Sequence, residues 1–269
     1  MMPLDTTLQH RTEQHYDSHP FDAIRPEDEH APRTIQPKPF IEFCERYLRR
    51  QMAVAEIGCG PGRGTMYLAT LGIDIMAVDI SAVSLARARR RAPKTGFVRG
   101  TVMALPFPNA CFDAVVSDGV IHHTPNARTA FAENARVLRP GGHLYLGLYN
   151  RRRHYYYIYT YAGPPIRWLD NSAAGRVALG MTLIPLYYLV HLAKSRGRRS
   201  WAGARNFFYD YIITPQATFY TREEITAWGG ELGLDLIKYD PSLGNIHVFV
   251  FRKSSICPQD HEIPERAHS

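Results

Sequence analysis

The 269-residue sequence predicts an α/β fold built on a seven-stranded, mostly parallel sheet with an antiparallel edge, plus a helical, aromatic insert. Three observations carry this. Short apolar runs alternate with helical patterns from Met52 to Tyr149, the alternation breaks for about seventy residues, and two closely spaced apolar runs follow near the end. Strands alternating with helices place the strands parallel and cover both faces of the sheet.

The elements follow in order. The polar segment 1–36, rich in His, Asp and Pro, reads as an extended arm. Pro37 to Arg50 carries apolar residues at helical spacing and opens the core, which runs to Tyr149. Strands are expected at Met52–Ile57, Ile73–Val78, Phe97–Thr101, Phe112–Ser117 and His143–Tyr149. Helices are expected at Thr65–Leu71, from the Ser81 cap to Arg91, and from Thr124-Pro125 to just before Pro140. The insert, 150–220, is rich in tyrosine and arginine. Thr221 to Glu224 is a capping box that opens a last helix, and strands Leu234–Tyr239 and Ile246–Phe251, joined at 241–245, complete the sheet by residue 253. Residues 254–269 read as a flexible tail.

Composition narrows the function. Hydrophobic residues at 45% and charged residues at 21% describe a globular chain, and a net charge of +7 favours anionic partners. Arginine clusters such as Arg87 to Arg91 read as solvated surface. The four cysteines, Cys44, Cys59, Cys111 and Cys257, show no metal-ligand spacing, so no metal site is expected, and with no secretory pattern at the N-terminus a cytoplasmic location is. Val177 to Ala193 is uncharged, but Pro185 interrupts it and it falls short of the roughly 20 residues of a span, so it reads as a buried or lid helix. With Arg196, Arg198 and Arg199 beyond it, segment 177–199 also suggests peripheral contact with acidic lipid.

The stretch Ala55-Glu56-Ile57-Gly58-Cys59-Gly60-Pro61-Gly62 follows an apolar strand and precedes a helix, the arrangement that brings backbone N–H groups close to a ligand. A nicotinamide fingerprint fails, because Arg63 or Thr65 stands where the third glycine belongs, and a phosphate loop fails because no Gly-Lys-Ser/Thr follows. Asp79, at the end of the second strand, is placed to accept from both hydroxyls of a ribose. Glu56 repels a pyrophosphate and suits a ligand with an ammonium or sulfonium charge. A nucleoside with a positive charge points to S-adenosylmethionine.

The motifs Glu56-Ile57-Gly58-Cys59-Gly60-Pro61-Gly62, Val78-Asp79-Ile80-Ser81, Ala104-Leu105-Pro106-Phe107, Phe112 to Ser117 and Arg136 to Gly142 resemble, in order, those of class I S-adenosylmethionine-dependent methyltransferases with a Rossmann-like sheet. The resemblance implies that Gly58, Cys59, Gly60 and Gly62 turn under the methionine part, with Glu56 in support. It implies that Asp79 and Ile80 face the ribose, Met103 and Ala104 the adenine, and Asp118 the same site. Thr101 stands where many relatives carry Asp, which weakens one adenine contact.

A methyl acceptor belongs beyond the fourth and fifth strands, near His122, His123, Tyr149 and Asn150. Either histidine is a candidate base at neutral pH or a backbone partner at a helix start. Tyr155, Tyr156, Tyr159 and Tyr209 are candidate pocket walls, and Asp210, expected to pair with an arginine, is a further catalytic candidate. The leading expectation is methyl transfer to O, N or S of a small metabolite. The alternatives are a tRNA acceptor, through similarity of Val120-Ile121-His122-His123 to wobble-uridine methyltransferases, and a non-catalytic cofactor-binding subunit.

Overall fold

In the computed structural model, residues 6–22, 24–194, 200–241 and 244–255 are described. Arg196, Arg198, Arg199, Cys257, most of the expected tail and the centre of the 241–245 joint lie outside them.

Helices α1 (Thr6–Ser18) and α2 (Lys38–Tyr47) precede strand β1 (Ala53–Ile57). Then come α3 (Arg63–Leu68), β2 (Asp74–Asp79), α4 (Ala82–Arg91), β3 (Gly96–Arg99), β4 (Phe112–Asp118), α5 (Ala127–Val137) and β5 (Leu138–Tyr149). The strand order β3-β2-β1-β4-β5 is completed by β7 (Ile246–Lys253) and then β6 (Leu234–Asp240) at the edge. Because β7 runs antiparallel to both neighbours, the antiparallel strand is the penultimate one and β6 is the edge. The chain reverses its direction of travel across the sheet between β1 and β4, which leaves a crevice at the C-terminal ends of those strands.

Both faces of the sheet are packed because successive side chains along a strand point to opposite sides. Val54, Ala114, Val116 and Tyr145 meet Phe40, Phe43, Tyr67 and Leu68 from α2 and α3. Their neighbours Ala55, Val115, Leu144 and Leu146 meet Ala130, Phe131 and Ala135 of α5. The N-cap of α5 is Asn126, whose side chain accepts from the Thr129 N–H at 3.0 Å, rather than Thr124. Residues 121–123 form a separate single turn, and β5 begins five residues earlier than expected, carrying Pro140-Gly141-Gly142 within it.

The insert comprises α6 (His154–Tyr157), α7 (Gly163–Asp170), α8 (Ala173–Met181), α9 (Leu183–Lys194) and α10 (Trp201–Phe208). A π-helical turn joins α6 to α7 and another, Tyr209–Ile213, extends α10. Both ends of the insert meet at the top of β5, where Tyr220 N–H donates to the Tyr149 carbonyl and Arg151 N–H to the Tyr220 carbonyl. The capping box then opens α11 (Arg222–Glu231): Glu224 N–H donates to Thr221 Oγ1 and Thr221 N–H to Glu224 Oε2. Of the two expectations for this segment, a buried or a lid helix, burial is not met: α8 is mostly exposed and α9 is only partly covered, with Val177, Met181, Leu186 and Leu189 all exposed.

The N-terminal segment is not an extended arm. Helix α1 lies on α4, with Asp17 accepting from the Ser81 hydroxyl at 2.6 Å and Glu13 paired with Arg99. Asp22 takes Arg87 and Arg91, and Glu29 takes Arg91 as well, so part of the arginine cluster read as solvated surface is a set of anchors for this segment. Polar anchoring explains why hydrophobic periodicity did not reveal α1. Asp22→Ala removes a half-buried pairing and is expected to destabilise the protein by about 1–2 kcal/mol, read by urea denaturation; an unchanged midpoint would contradict the anchoring role.

Candidate active site

A cavity of about 580 Å³ opens at the crevice, within the size range of small-molecule sites. Its floor is the glycine turn after β1. Gly58 has φ +71°, and a Cβ there would lie 2.3 Å from Val120, so both the backbone conformation and the packing demand glycine. At Gly60 (φ +53°) a Cβ would meet nothing within 4 Å, because this residue faces the open cavity.

Asp79 ties this turn to β2. One carboxylate oxygen accepts from the Gly60 N–H and the other from the Ser81 N–H, both at 2.8 Å. A carboxylate offers about four lone-pair sites, so two remain for ligand hydroxyls. Burial raises the Asp79 pKa to about 6, against the pull of these N–H bonds. Glu56 lies under the start of α3, accepting from Thr65 Oγ1 at 2.5 Å, and burial raises its pKa to about 7. Asp118, also raised by burial, pairs with Arg63 at 2.9 Å. Three carboxylates thus face one cavity with a single arginine directly paired to them, a donor set suited to a cationic ligand.

Thr101, Val102 and Met103 form another wall, with the Thr101 hydroxyl accepting from the Met103 N–H at 3.3 Å. Cys59 and Ile80 also line the cavity. Ala104 does not: it is exposed outside the cavity.

On the opposite side, His123 and Tyr149 line the cavity, together with Asp210 on the π-helical turn after α10. His123 Nδ1 lies 2.7 Å from the Gln216 carbonyl, which only accepts, so Nδ1 carries the proton and Nε2 holds the lone pair. Burial lowers the His123 pKa and keeps the ring neutral; Asp210 opposes this. Asp210 pairs with no arginine among the described residues. It accepts from Tyr16 OH at 3.2 Å and from Tyr149 OH at 3.5 Å, and burial raises its pKa.

His122 departs from expectation. It is fully buried outside the cavity, 3.7 Å in ring centroids from Tyr149, and neither ring nitrogen has a hydrogen-bond partner among the described residues. Asn150 also lies outside the cavity, its side chain accepting from the Arg152 N–H at the start of the insert. Tyr155 and Tyr159 are buried in the insert and donate to the carbonyls of Tyr211 and Thr214; Tyr156 packs on Phe219. Tyr209 points away, stacked on His19 and bonded to Asp170. These tyrosines hold the insert together instead of lining the cavity. The sequence reading missed Tyr16, Arg63, Phe207 and Tyr211, which do line it. Arg63 stands beside the glycine run and was legible there; Tyr16 comes from a segment 40 residues upstream with no motif of its own.

The methyltransferase-domain family matches residues 55–146, the stretch from the glycine turn to β5. Residues 55–146 are a class I S-adenosylmethionine-dependent methyltransferase domain. S-adenosylmethionine is the cofactor of such domains, and the carboxylate set and open glycine turn fit it. The chain is 30% identical over 187 residues to the demethylmenaquinone methyltransferase of Beutenbergia cavernae, covering 70% of this chain and 63% of that one. It is 36% identical over 107 residues to the 27-O-demethylrifamycin SV methyltransferase of Amycolatopsis mediterranei, covering 37% and 39%. The chain thus spans about two fifths to three fifths of the length of these curated relatives. Among solved structures, an S-adenosylmethionine-dependent methyltransferase of Methanosarcina mazei aligns with TM-score 0.51 at 18% identity, over 82% of this chain and 99% of that one. The 4+2 cyclase SpnF aligns with TM-score 0.55 at 14% identity, over 92% and 94%.

Two outcomes are expected for the methyltransferase domain. Asp79→Ala removes both the tie on Gly60 and the ribose acceptor, so cofactor affinity falls at least about tenfold, measured by calorimetry; unchanged affinity would remove the ribose assignment. Glu56 and Asp79, with pKa values of about 7 and 6, are partly protonated below neutrality, and a bound cation lowers both. Binding therefore releases protons, and affinity rises with pH from about 5.5 to 7.5. Titrations in buffers of different ionisation enthalpy measure the release; a pH-independent affinity would show that these groups do not sense the ligand's charge.

Proposed function

We propose that this chain transfers a methyl group from S-adenosylmethionine to a hydroxyl of a small, apolar or aromatic acceptor. The observation that carries the reading is the neutral His123, with its Nε2 lone pair available beside an aromatic cavity wall. The bound cofactor supplies a methyl carbon activated by a positively charged sulfur. The residues that would hold it are Glu56, Asp79, Gly58 to Pro61 and Met103, on the floor and one wall of the cavity, whereas Gly62 packs against Ala88 and does not line it.

A hydroxyl is a weak nucleophile until its proton leaves. His123 Nε2 takes that proton, and the Gln216 carbonyl holds the ring in the required tautomer. Asp210, kept in place by Tyr16 and Tyr149, favours the protonated imidazole that results. Tyr16, Tyr149, Phe207 and Tyr211 supply the aromatic wall, and α1 and α10 shield the cavity from water. The named acceptors of the two relatives, a demethylated menaquinone and a demethylated rifamycin, are both small molecules. Fold likeness alone fixes no chemistry, since a cyclase shares the fold.

The test is methyl uptake from labelled S-adenosylmethionine into a panel of hydroxylated aromatic compounds, with bulk tRNA as the competing acceptor. Label in the small-molecule fraction is expected; label confined to tRNA, or none with any acceptor, would refute the reading. His123→Gln is expected to lower kcat by about 10²–10⁴ with cofactor affinity intact. Asp210→Asn removes the charge that raises the His123 pKa, so the acidic limb of the pH–rate profile moves to lower pH; a fixed limb would return Asp210 to a purely structural role.

A further inference from the structure

Helix α9 and the adjoining α8 present an apolar surface with nothing of the described protein over it. Val177, Met181, Leu186 and Leu189 are each more than half exposed, and Val190 is 45% exposed. A helix apolar on every side belongs in a protein core or in lipid. The stretch Ala173–Ala193 is apolar enough to qualify for lipid, with a mean hydropathy of 1.4 over its most apolar 18 residues, yet only 17% of that window is buried. One face of the pair is already committed. Leu179 and Ile184 are buried, and Ile184 packs with Phe208 and Tyr209. The helix also breaks at Thr182 (φ −121°, ψ −75°). Crossing a bilayer would strip those contacts, whereas lying in its surface keeps them.

Charge identifies the partner. Residues 150–220 hold ten Lys and Arg against two Asp and Glu, an excess of eight, while the whole chain is +7. The net positive charge of the chain is therefore carried in sequence by the insert, of which Arg151 and Arg152 are paired with Glu224 and Glu223. Arg176 and Lys194 bracket that face in sequence, and Arg196, Arg198 and Arg199 follow it. Trp201, 44% exposed, packs edge-on against Tyr188 of α9, and Trp168 of α7 is 73% exposed. Aromatic rings and basic side chains flanking aliphatic residues are the composition of a helix seated at a lipid interface.

We propose that the α8–α9 face docks this protein onto the surface of an anionic bilayer. Exposed Leu, Met and Val enter the headgroup region, and the net positive charge of the insert draws it to acidic lipid. RNA would satisfy the charge but leaves the aliphatic face exposed to water. The consequence for the site rests on the methyl-transfer reading. Helix α10 packs on α9 and lines the cavity through Gly203 and Phe207, so an amphiphilic acceptor held in the bilayer would reach the cavity along α10.

The experiment is flotation of the full chain with vesicles of phosphatidylcholine alone and with 30% phosphatidylglycerol, using Leu186→Asp/Leu189→Asp as the variant. The expected result is flotation with the anionic vesicles, weakened by 0.5 M salt, and at least tenfold less for the variant. Calorimetry with S-adenosylmethionine checks that the variant is folded, because its cavity is untouched. Absence of flotation, or equal flotation of the variant, would overturn the proposal. So would sedimentation showing a dimer that the variant disperses, or tRNA binding that the variant retains without any vesicle binding. Vesicle binding in a protein that takes up no methyl group would leave the docking intact and refute only the methyl-transfer reading.

Discussion

The site depends on carboxylates held at the C-terminal edge of the sheet without enough positive charge beside them. Glu56 and Asp79 accept hydrogen bonds only from neutral groups, a threonine hydroxyl and two backbone N–H groups, and burial raises both their pKa values. Unpaired buried carboxylates are costly. A cation is their natural complement, and the turn that would bring it close is fastened to one of them. Asp79 therefore serves two ends: it holds Gly60 in place, and it faces the space the ligand enters.

The other half of the cavity rests on parts of the chain distant in sequence. Tyr16 from α1 and Tyr149 from β5 converge on the carboxylate of Asp210, which the π-helical turn carries, with His123 beside it. A π-helical turn is less favourable than a continued α-helix and tends to persist where a site uses it. Here it carries Asp210 to the cavity while its neighbour Tyr209 turns outward to His19 and Asp170. This half of the cavity is thus assembled by the N-terminal segment and the insert together, which makes the acidic anchors of that segment, Glu13 on Arg99 and Asp22 and Glu29 on Arg87 and Arg91, part of its architecture.

The sheet and the cofactor turn were legible because local rules write them. Short continuous apolar runs mark the strands, glycines mark the positive φ values, and Asp79 stands at the end of its strand. Ala104 was misplaced because an unbranched chain of motifs does not say which of two successive residues faces inward. Tyr155, Tyr156 and Tyr159 were misread as cavity walls because a tyrosine run carries no period that separates insert packing from ligand contact. Helix α1 escaped because its contacts are ion pairs and hydrogen bonds, and the exposure of α8 and α9 escaped because an apolar helix reads the same whether protein or lipid covers it.

The most direct test of the central claim is a calorimetric titration of the purified chain with S-adenosylmethionine and, separately, with NADH, at pH 7.5. Saturable one-to-one binding of S-adenosylmethionine is expected and none of NADH, whose pyrophosphate would meet Glu56, Asp79 and Asp118. Binding of NADH, or of neither ligand, would contradict the claim that these carboxylates await a cation.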